Sequence, residues 1–109
     1  MNWTFLENPT QISAIKSKAG YSLIFKHSTR CSISMMAKKR VDMDLSDLPE
    51  TVQPFFLDLI AHRELSKQIA EVFQVHHESP QLLLIKDGEC ILDQSHGDIS
   101  IEEAVTEVK

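Results

Sequence analysis

The stretch FKHSTRCSIS, residues 25–34, joins the end of an apolar run to a cysteine and two serines. Residues 21–25 (YSLIF) predict a short buried strand before it. After it, apolar residues recur at four-residue spacing over 37–45, which predicts a helix. Cys31 therefore lies where a strand ends, a loop turns and a helix begins.

Working outward from this unit, the sequence predicts the order helix, strand, helix, strand, helix, strand, strand, helix. The strands are expected at 21–25, 54–60, 82–85 and 90–92, and the helices after Asn8, after Cys31, over 63–74 and after Ser100. The helix between the first two strands implies a parallel crossover, and Asp87-Gly88 predicts a hairpin. We expect an α/β chain with a four-stranded mixed sheet flanked by helices on both faces, which is the thioredoxin-like fold.

Composition limits the classes of function. The 109 residues predict a single domain, 1–109, with a 42% apolar fraction that suffices for a core. The formal net charge of -5 argues against nucleic acid as a partner. Residues 1–4 do not begin a signal peptide, and no apolar run approaches the ~20 residues of a membrane helix. We expect a cytoplasmic protein with no membrane partner.

The position of Cys31 favours thiolate chemistry. Unpaired amides and the helix dipole favour an anion at a helix N-terminus. Arg30 and Lys26 are nearby cations, as is His27 if protonated, and such groups lower the pKa of thiols. We predict a nucleophile for thiol–disulfide exchange. The alternative is that Cys31 is a small buried residue and the serines only begin the helix.

Ser34 occupies the place of the second cysteine in a C-x-x-C pair. A serine cannot form a disulfide, so a mixed disulfide at Cys31 must be resolved by an outside thiol. This predicts monothiol chemistry with a small-thiol co-substrate. Ser34 is also expected to donate a hydrogen bond to the Cys31 sulfur.

Pro80 directly precedes the predicted strand at 82–85, where proline is tolerated only at the first residue or on an edge. In a thioredoxin-like fold, a cis-proline here brings the backbone of Ser79 next to the reactive sulfur. Without that context a trans proline is the ordinary expectation.

Four blocks carry a family resemblance over nearly the whole chain: FKHSTRCSIS, RELSKQIA, VHHESPQ and HGDIS, in that order. Together they resemble the monothiol bacilliredoxins, the YtxJ-like proteins of the bacillithiol system. That family has a thioredoxin fold with K-H-S-x-x-C-P-I-S before its first active-site helix, H-E-S-P-Q at the cis-proline and H-G-D-I near the end.

The resemblance implies that Cys31 is the redox cysteine, that Pro80 is cis, and that the activity removes bacillithiol from S-bacillithiolated proteins. Bacillithiol, or another low-molecular-weight thiol, is then the co-substrate, no cofactor is bound, and S-thiolated client proteins are the partners. The groove around the thiol is expected to be formed by His27, Arg30, Ser79 and Pro80. Arg30 or Lys38 would hold the carboxylates of the malate moiety of bacillithiol.

One departure from the family pattern is Ser32, where the family usually has proline. Proline would remove a backbone N–H, so Ser32 restores a donor near the sulfur and should favour the thiolate. Cys90, on the hairpin strand, is expected to be core or partly buried rather than a resolving cysteine. No histidine spacing resembles a zinc motif, and no metal site is predicted.

Two other functions use the same lone cysteine. Two copies could hold an iron–sulfur cluster through one cysteine each and two small thiols. A redox adaptor would regulate a partner through the Cys31 thiol without turnover. Iron-dependent colour after anaerobic purification would favour the cluster carrier, and turnover of a thiolated protein would favour the reductase.

Overall fold

The computed structural model describes residues 2–108. Its strands and helices, in chain order, are β1 Thr4–Phe5, α1 Pro9–Ser17, β2 Tyr21–His27, α2 Ser32–Asp44, β3 Val52–Asp58, α3 Arg63–Phe73, β4 Gln81–Lys86, β5 Glu89–Ser95 and α4 Ile101–Thr106. Single turns of 3-10 helix follow α2, at Leu45–Asp47, and β5, at His96–Asp98.

The strands form one mixed sheet in the order β1-β3-β2-β4-β5. β1 and β2 both run parallel to β3, whereas β4 is antiparallel to β2 and β5. The predicted thioredoxin-like topology is therefore confirmed, with five strands instead of four. The extra strand, β1, has only two residues, so its sequence carries no periodicity that could have predicted it.

Local sequence signals fix several ends of these elements. Asn8 caps α1 in a capping box with Gln11, and Pro9 follows at the first helical position. The β4–β5 hairpin turns at Asp87 and Gly88, whose φ angles are 52° and 82°. A Cβ at Gly88 would lie 2.1 Å from the carbonyl oxygen of Lys16, so that position has no room for a side chain.

Helices cover both faces of the sheet and create two apolar cores. One core packs α2 and α4 against the sheet through residues such as Ala37, Val41, Ile101 and Ala104. The other packs α1 and α3 through Ile12, Ile15, Leu65 and Ile69. Because β2 lies between the two cores, all seven of its residues are buried, including two polar ones at its carboxyl end.

Successive strand residues point to opposite faces of a sheet, so the last two residues of β2 diverge. Lys26 extends toward α3 and His27 toward α2, as their hydrogen bonds show. The same end of β2 leads through residues 28–30 to Cys31, so both side chains lie under the loop that carries the thiol. Within residues 2–108, no helix has the length and apolarity to cross a bilayer.

Candidate functional site

Cys31 is the N-cap residue of α2, where the backbone turns from extended to helical at φ -114° and ψ 120°. Its amide donates to the carbonyl oxygen of Ser28 (3.3 Å), and its own carbonyl accepts from the amide of Met35 (3.0 Å). The side chain is partly exposed and caps none of the helix amides. The thiol therefore lies at the positive end of the helix dipole and stays available for a reaction.

Ser34 lies in the first turn of α2 and is fully buried. Its hydroxyl oxygen is 2.8 Å from Nδ1 of His27 and accepts the amide of Ser28 at 2.9 Å. Within residues 2–108, no hydrogen bond joins it to the Cys31 sulfur, so that expectation was wrong. The reason is geometric, because the serine points inward to the end of β2 and satisfies buried groups there.

His27 supports the loop from the α2 face of the sheet. Its ring is buried beside Phe25 and Phe56, with centroid separations of 6.0 and 5.6 Å. Burial lowers the pKa of His27 below its ordinary value, and the ammonium of Lys38 lowers it further. The imidazole is therefore neutral at pH 7 and does not supply the cation that a protonated histidine would give.

Lys26 lies on the opposite face and is also fully buried. Its Nζ donates to the carbonyl oxygen of Ser66 (3.3 Å) and lies 3.4 Å from Nδ1 of His77. Burial lowers the pKa of Lys26 to about 8, although the carboxylate of Asp93 acts in the other direction. The idea that Lys26 serves the thiol directly was therefore wrong, since its ammonium binds α3 and the segment after it.

The Ser79–Pro80 peptide bond is cis. Because Lys26 pairs with Gln81 in the sheet, Pro80 lies beside the end of β2 that leads to Cys31. Its carbonyl oxygen accepts the amide of His96 at 3.1 Å. The Ser79 hydroxyl is buried and has no hydrogen-bond partner within residues 2–108.

Gln81 holds the segment before the cis bond in place. Its side-chain amide donates to the carbonyl oxygen of His76 (2.9 Å) and to a carboxylate oxygen of Asp93 (2.8 Å). Its side-chain oxygen accepts the amide of Glu78 at 3.3 Å. One fully buried side chain thus fixes the shape of residues 76–78, which lead directly to Ser79.

Comparison with known proteins agrees with this arrangement. Residues 4–104 match the family described as monothiol bacilliredoxin BrxC. The chain belongs to the monothiol bacilliredoxin family. Among solved structures, it is similar to a protein with a thioredoxin fold at 28% identity and a TM-score of 0.81, covering 94% of this chain and 89% of that one.

Two thioredoxins show the same fold at lower identity. Thioredoxin from Malassezia sympodialis is 19% identical, with a TM-score of 0.76 and coverage of 97% of this chain and 90% of that one. Mitochondrial thioredoxin 3 from Saccharomyces cerevisiae is 18% identical, with a TM-score of 0.74 and coverage of 97% and 95%. These two structures show the fold, and the family match supports a thiol redox function for this bacilliredoxin.

A groove of about 450 Å³ runs along α2 next to the bacilliredoxin cysteine. Ser32 forms one part of it, and Met35 and Met36 form an apolar part. These methionine side chains are 55% and 64% exposed, and Ile33 beside them is 53% exposed. The thiol is therefore bordered by flexible apolar surface of the kind that adapts to different partners.

Arg30 and Lys38, the two cations expected to hold the carboxylates of a small thiol, differ in their side-chain contacts. Arg30 is exposed, and its side chain makes no hydrogen bond or ion pair within residues 2–108. Lys38 forms an ion pair with Asp42, whose carboxylate also accepts the indole N–H of Trp3. Lys38 is thus partly neutralised, while Arg30 keeps its whole charge for a ligand.

Cys90 lies in β5 opposite Ile85, near the end of the sheet where β2 begins. The Cys31 loop leaves the other end, so the fold separates the two thiols. Burial raises the pKa of Cys90 to about 11, and its thiol donates to the carbonyl oxygen of Leu92 at 3.3 Å. The expectation that Cys90 is partly buried and does not resolve Cys31 agrees with this placement.

The structure brings His27, Ser34 and the Cys31 loop together, and it places Pro80 beside them. Sequence reasoning missed the buried polar group on the other face, which contains Lys26, Ser66 and Gln81. The only available signal was a lysine and a glutamine within or beside apolar strand segments. Such a pattern shows that a polar group is buried, but not which partner satisfies it.

Proposed function

We propose that this chain is a cytoplasmic monothiol thiol–disulfide oxidoreductase that removes bacillithiol from S-thiolated proteins. The observation that carries the proposal is the arrangement of Cys31 and Ser34. The cysteine is accessible at a helix N-terminus, while the residue three positions on is a serine whose hydroxyl is already bonded to His27 and Ser28. The reactive sulfur thus has no internal thiol to discharge it.

In the first step, the Cys31 thiolate attacks the bacillithiol sulfur of a protein–bacillithiol disulfide. The bond between that sulfur and the client sulfur breaks, and the client thiolate takes a proton from solvent. Cys31 then carries bacillithiol as a mixed disulfide. The client has gained the electron pair, and the oxidising equivalent now resides on Cys31.

In the second step, a free bacillithiol thiolate attacks the sulfur of the bound bacillithiol. Bacillithiol disulfide leaves, and the Cys31 thiolate is regenerated. The cycle consumes one free bacillithiol for each client thiol released, and the other half of the bacillithiol disulfide comes from the client. Small-thiol turnover is required because Cys90 lies at the opposite end of the sheet and its raised pKa keeps it protonated.

The surroundings of the thiol suit this chemistry. The exposed side chains of Ile33, Met35 and Met36 provide apolar surface for contact with clients of different sequence. Among the residues of the site, His27 is neutral and holds the loop rather than acting as a cation.

The test is a single-turnover reaction with a purified S-bacillithiolated protein. Without free bacillithiol, we expect one equivalent of client thiol to be released and one bacillithiol to appear on the peptide that contains Cys31, as measured by mass spectrometry. Added bacillithiol should restore multiple turnover. If the client is reduced but Cys31 never carries the adduct, the proposed mechanism is wrong.

A further inference from the structure

A second cleft, of about 520 Å³, opens on the α3 side of the same end of the molecule. Its walls are α3 and the segment 75–77, and Leu59 closes it at one side. The amide of Leu59 donates to the carbonyl oxygen of His27 at 2.8 Å, so this side adjoins the end of β2. The segment 75–77 leads after one further residue to Ser79. The cleft therefore flanks the loops that surround Cys31.

The lining of this cleft is basic, although the chain as a whole has a formal net charge of -5. Arg63 and Lys67 contribute two cations, and Glu71 contributes the one carboxylate among the lining residues. Neither cation forms an ion pair within residues 2–108. Arg63 is also the first residue of the 11-residue helix α3, whose N-terminus favours an anion.

His77 at the cleft wall provides a hydrogen-bond donor of fixed orientation. Its Nδ1 lies 3.4 Å from the ammonium of Lys26 and 3.2 Å from the hydroxyl of Ser66. An ammonium can only donate, so Nδ1 accepts and the ring proton resides on Nε2. Desolvation and the charge of Lys26 both lower the pKa of His77, which keeps the ring neutral at pH 7. The exposed Nε2–H is left for a ligand.

Lys26 places a positive charge behind that wall. It is fully buried, and its pKa of about 8 leaves most of it protonated at neutral pH. The carboxylate of Asp93 acts on Lys26 electrostatically and is itself bound by the side-chain amide of Gln81. The carboxylate of Glu78 lies 3.8 Å from Nε2 of His76 and 3.6 Å from Nε2 of His96. Glu78 does not line the cleft.

We propose that this cleft binds the carboxylates of the small thiol during the exchange reaction, with Arg63, Lys67 and His77 as the contacting residues. The inference rests on the proposed function and adds to it a recognition site for a carboxylate-bearing thiol. The thiol sulfur would lie at Cys31 while its acidic part reaches past Ser79 into the cleft. On the α2 side Lys38 is already paired with Asp42, and the exposed Arg30 lines neither that groove nor this cleft.

The experiment compares two mixed disulfides of one client protein in single-turnover reactions, one with bacillithiol and one with uncharged 2-mercaptoethanol. We expect the Arg63→Glu/Lys67→Glu variant to reduce the bacillithiol disulfide about tenfold more slowly, from the loss of charge-assisted hydrogen bonds. Its rate with the 2-mercaptoethanol disulfide should stay unchanged. A glutamate is well tolerated at position 63, in the first turn of α3, and the unchanged rate with the 2-mercaptoethanol disulfide checks that the change at Lys67 leaves the fold intact.

The matched control is Lys18→Glu/Lys86→Glu, which makes the same change in net charge at the far end of the sheet. Lys86 pairs with Tyr21 at the beginning of β2, and Lys18 follows α1 just before that strand. Both disulfides should react with the control variant at wild-type rates. If the control slows the bacillithiol disulfide as much as the cleft variant does, overall charge is responsible and the proposed site is wrong.

A second measurement, binding of L-malate alone, separates this inference from the proposed function. Added L-malate should shift the NMR signals of the His77 ring in the wild type and leave them unchanged in the cleft variant. An absence of shifts at tens of millimolar malate would overturn the site. If malate binds but the wild type reduces neither disulfide, the cleft is a dicarboxylate site and the proposed exchange reaction fails. Equal slowing of both disulfides in the cleft variant would also overturn the site.

Discussion

The two cysteines of this chain carry the same side chain in opposite environments. Cys31 is at the N-cap of α2, partly exposed, with its backbone bonded to Ser28 and Met35. Cys90 is within β5, partly buried against the α1–α3 core, with its thiol donating to a carbonyl oxygen. One lies at the carboxyl end of β2 and the other near its beginning.

The comparison shows how the place of a cysteine in this fold sets the surroundings of its thiol. A strand interior supplies apolar neighbours, and these favour the protonated form, as the raised pKa of Cys90 shows. A helix N-terminus supplies amide groups that favour an anion. Residue type alone does not distinguish the two positions, since both are single cysteines with no cysteine three residues away.

The largest effect on the rate of bacillithiol removal is expected when each cysteine is replaced in turn. Cys31→Ser should lower the rate of bacillithiol removal by at least about 1,000-fold, because the nucleophile is lost. Cys90→Ser should stay within about twofold of the wild type, since a thiol away from the reacting atoms contributes only through packing. The rates are measured as released client thiol. Comparable losses in both variants would break the distinction between the two sites.

Alkylation of Cys90 in a Cys31→Ser background tests whether burial makes the Cys90 thiol unreactive. With a pKa of about 11, only about 0.1% of this thiol is ionised at pH 8, against roughly 25% for an ordinary thiol. Iodoacetamide should therefore label native Cys90 about 200-fold more slowly than the same residue in urea.

The native labelling rate should also rise tenfold per pH unit up to about pH 11, because only the thiolate reacts. Mass spectrometry of timed samples gives these rates. Equal rates in the native and unfolded protein at pH 8 would show that Cys90 is not protected by burial.

Ser34→Ala tests which contacts hold the Cys31 loop in place. The change removes the acceptor of the buried Ser28 amide and the partner of His27. We expect a loss of about 1–3 kcal/mol in the free energy of unfolding, from the unsatisfied buried groups. Urea denaturation followed by circular dichroism measures it.

The matched control for Ser34 is Ser13→Ala, since Ser13 is exposed on α1 and donates only to the carbonyl oxygen of Pro9. Its effect on the free energy of unfolding should be below about 0.5 kcal/mol. A Ser34→Ala variant that is as stable as this control would mean that the loop does not depend on the buried serine.

Much of the fold was predictable because its signals are local. The capped start of α1 at Asn8, the hairpin at Asp87-Gly88 and the cap of α4 at Ser100 depend on neighbouring residues alone, and all three are present. At Ser100 the capping box is only half formed. Its Glu103 donates its amide to the Ser100 side chain, while the Glu103 carboxylate accepts from Gln94.

Contacts between segments that are far apart in the chain could not be predicted from the sequence. The two-residue strand β1 exists because β3 pairs with it, and the direction of the Ser34 hydroxyl depends on His27 across the α2–sheet interface. The cleft at Arg63 and His77 forms only when α3 packs beside the segment that follows it. In each case the partner is chosen by packing and not by spacing along the chain.

The order of residues along the chain was enough to predict that a cysteine begins a helix after a buried strand, with a serine where a resolving cysteine would be. Caps, apolar periodicity and residue identity are enough for that, because they act within a few residues. That Lys26 and His27, adjacent in the chain, point to opposite faces of the sheet and bind different partners became visible only in the folded molecule. The alternation of a strand separates such neighbours, and the groups that satisfy each buried side chain come from whichever helix packs on its face.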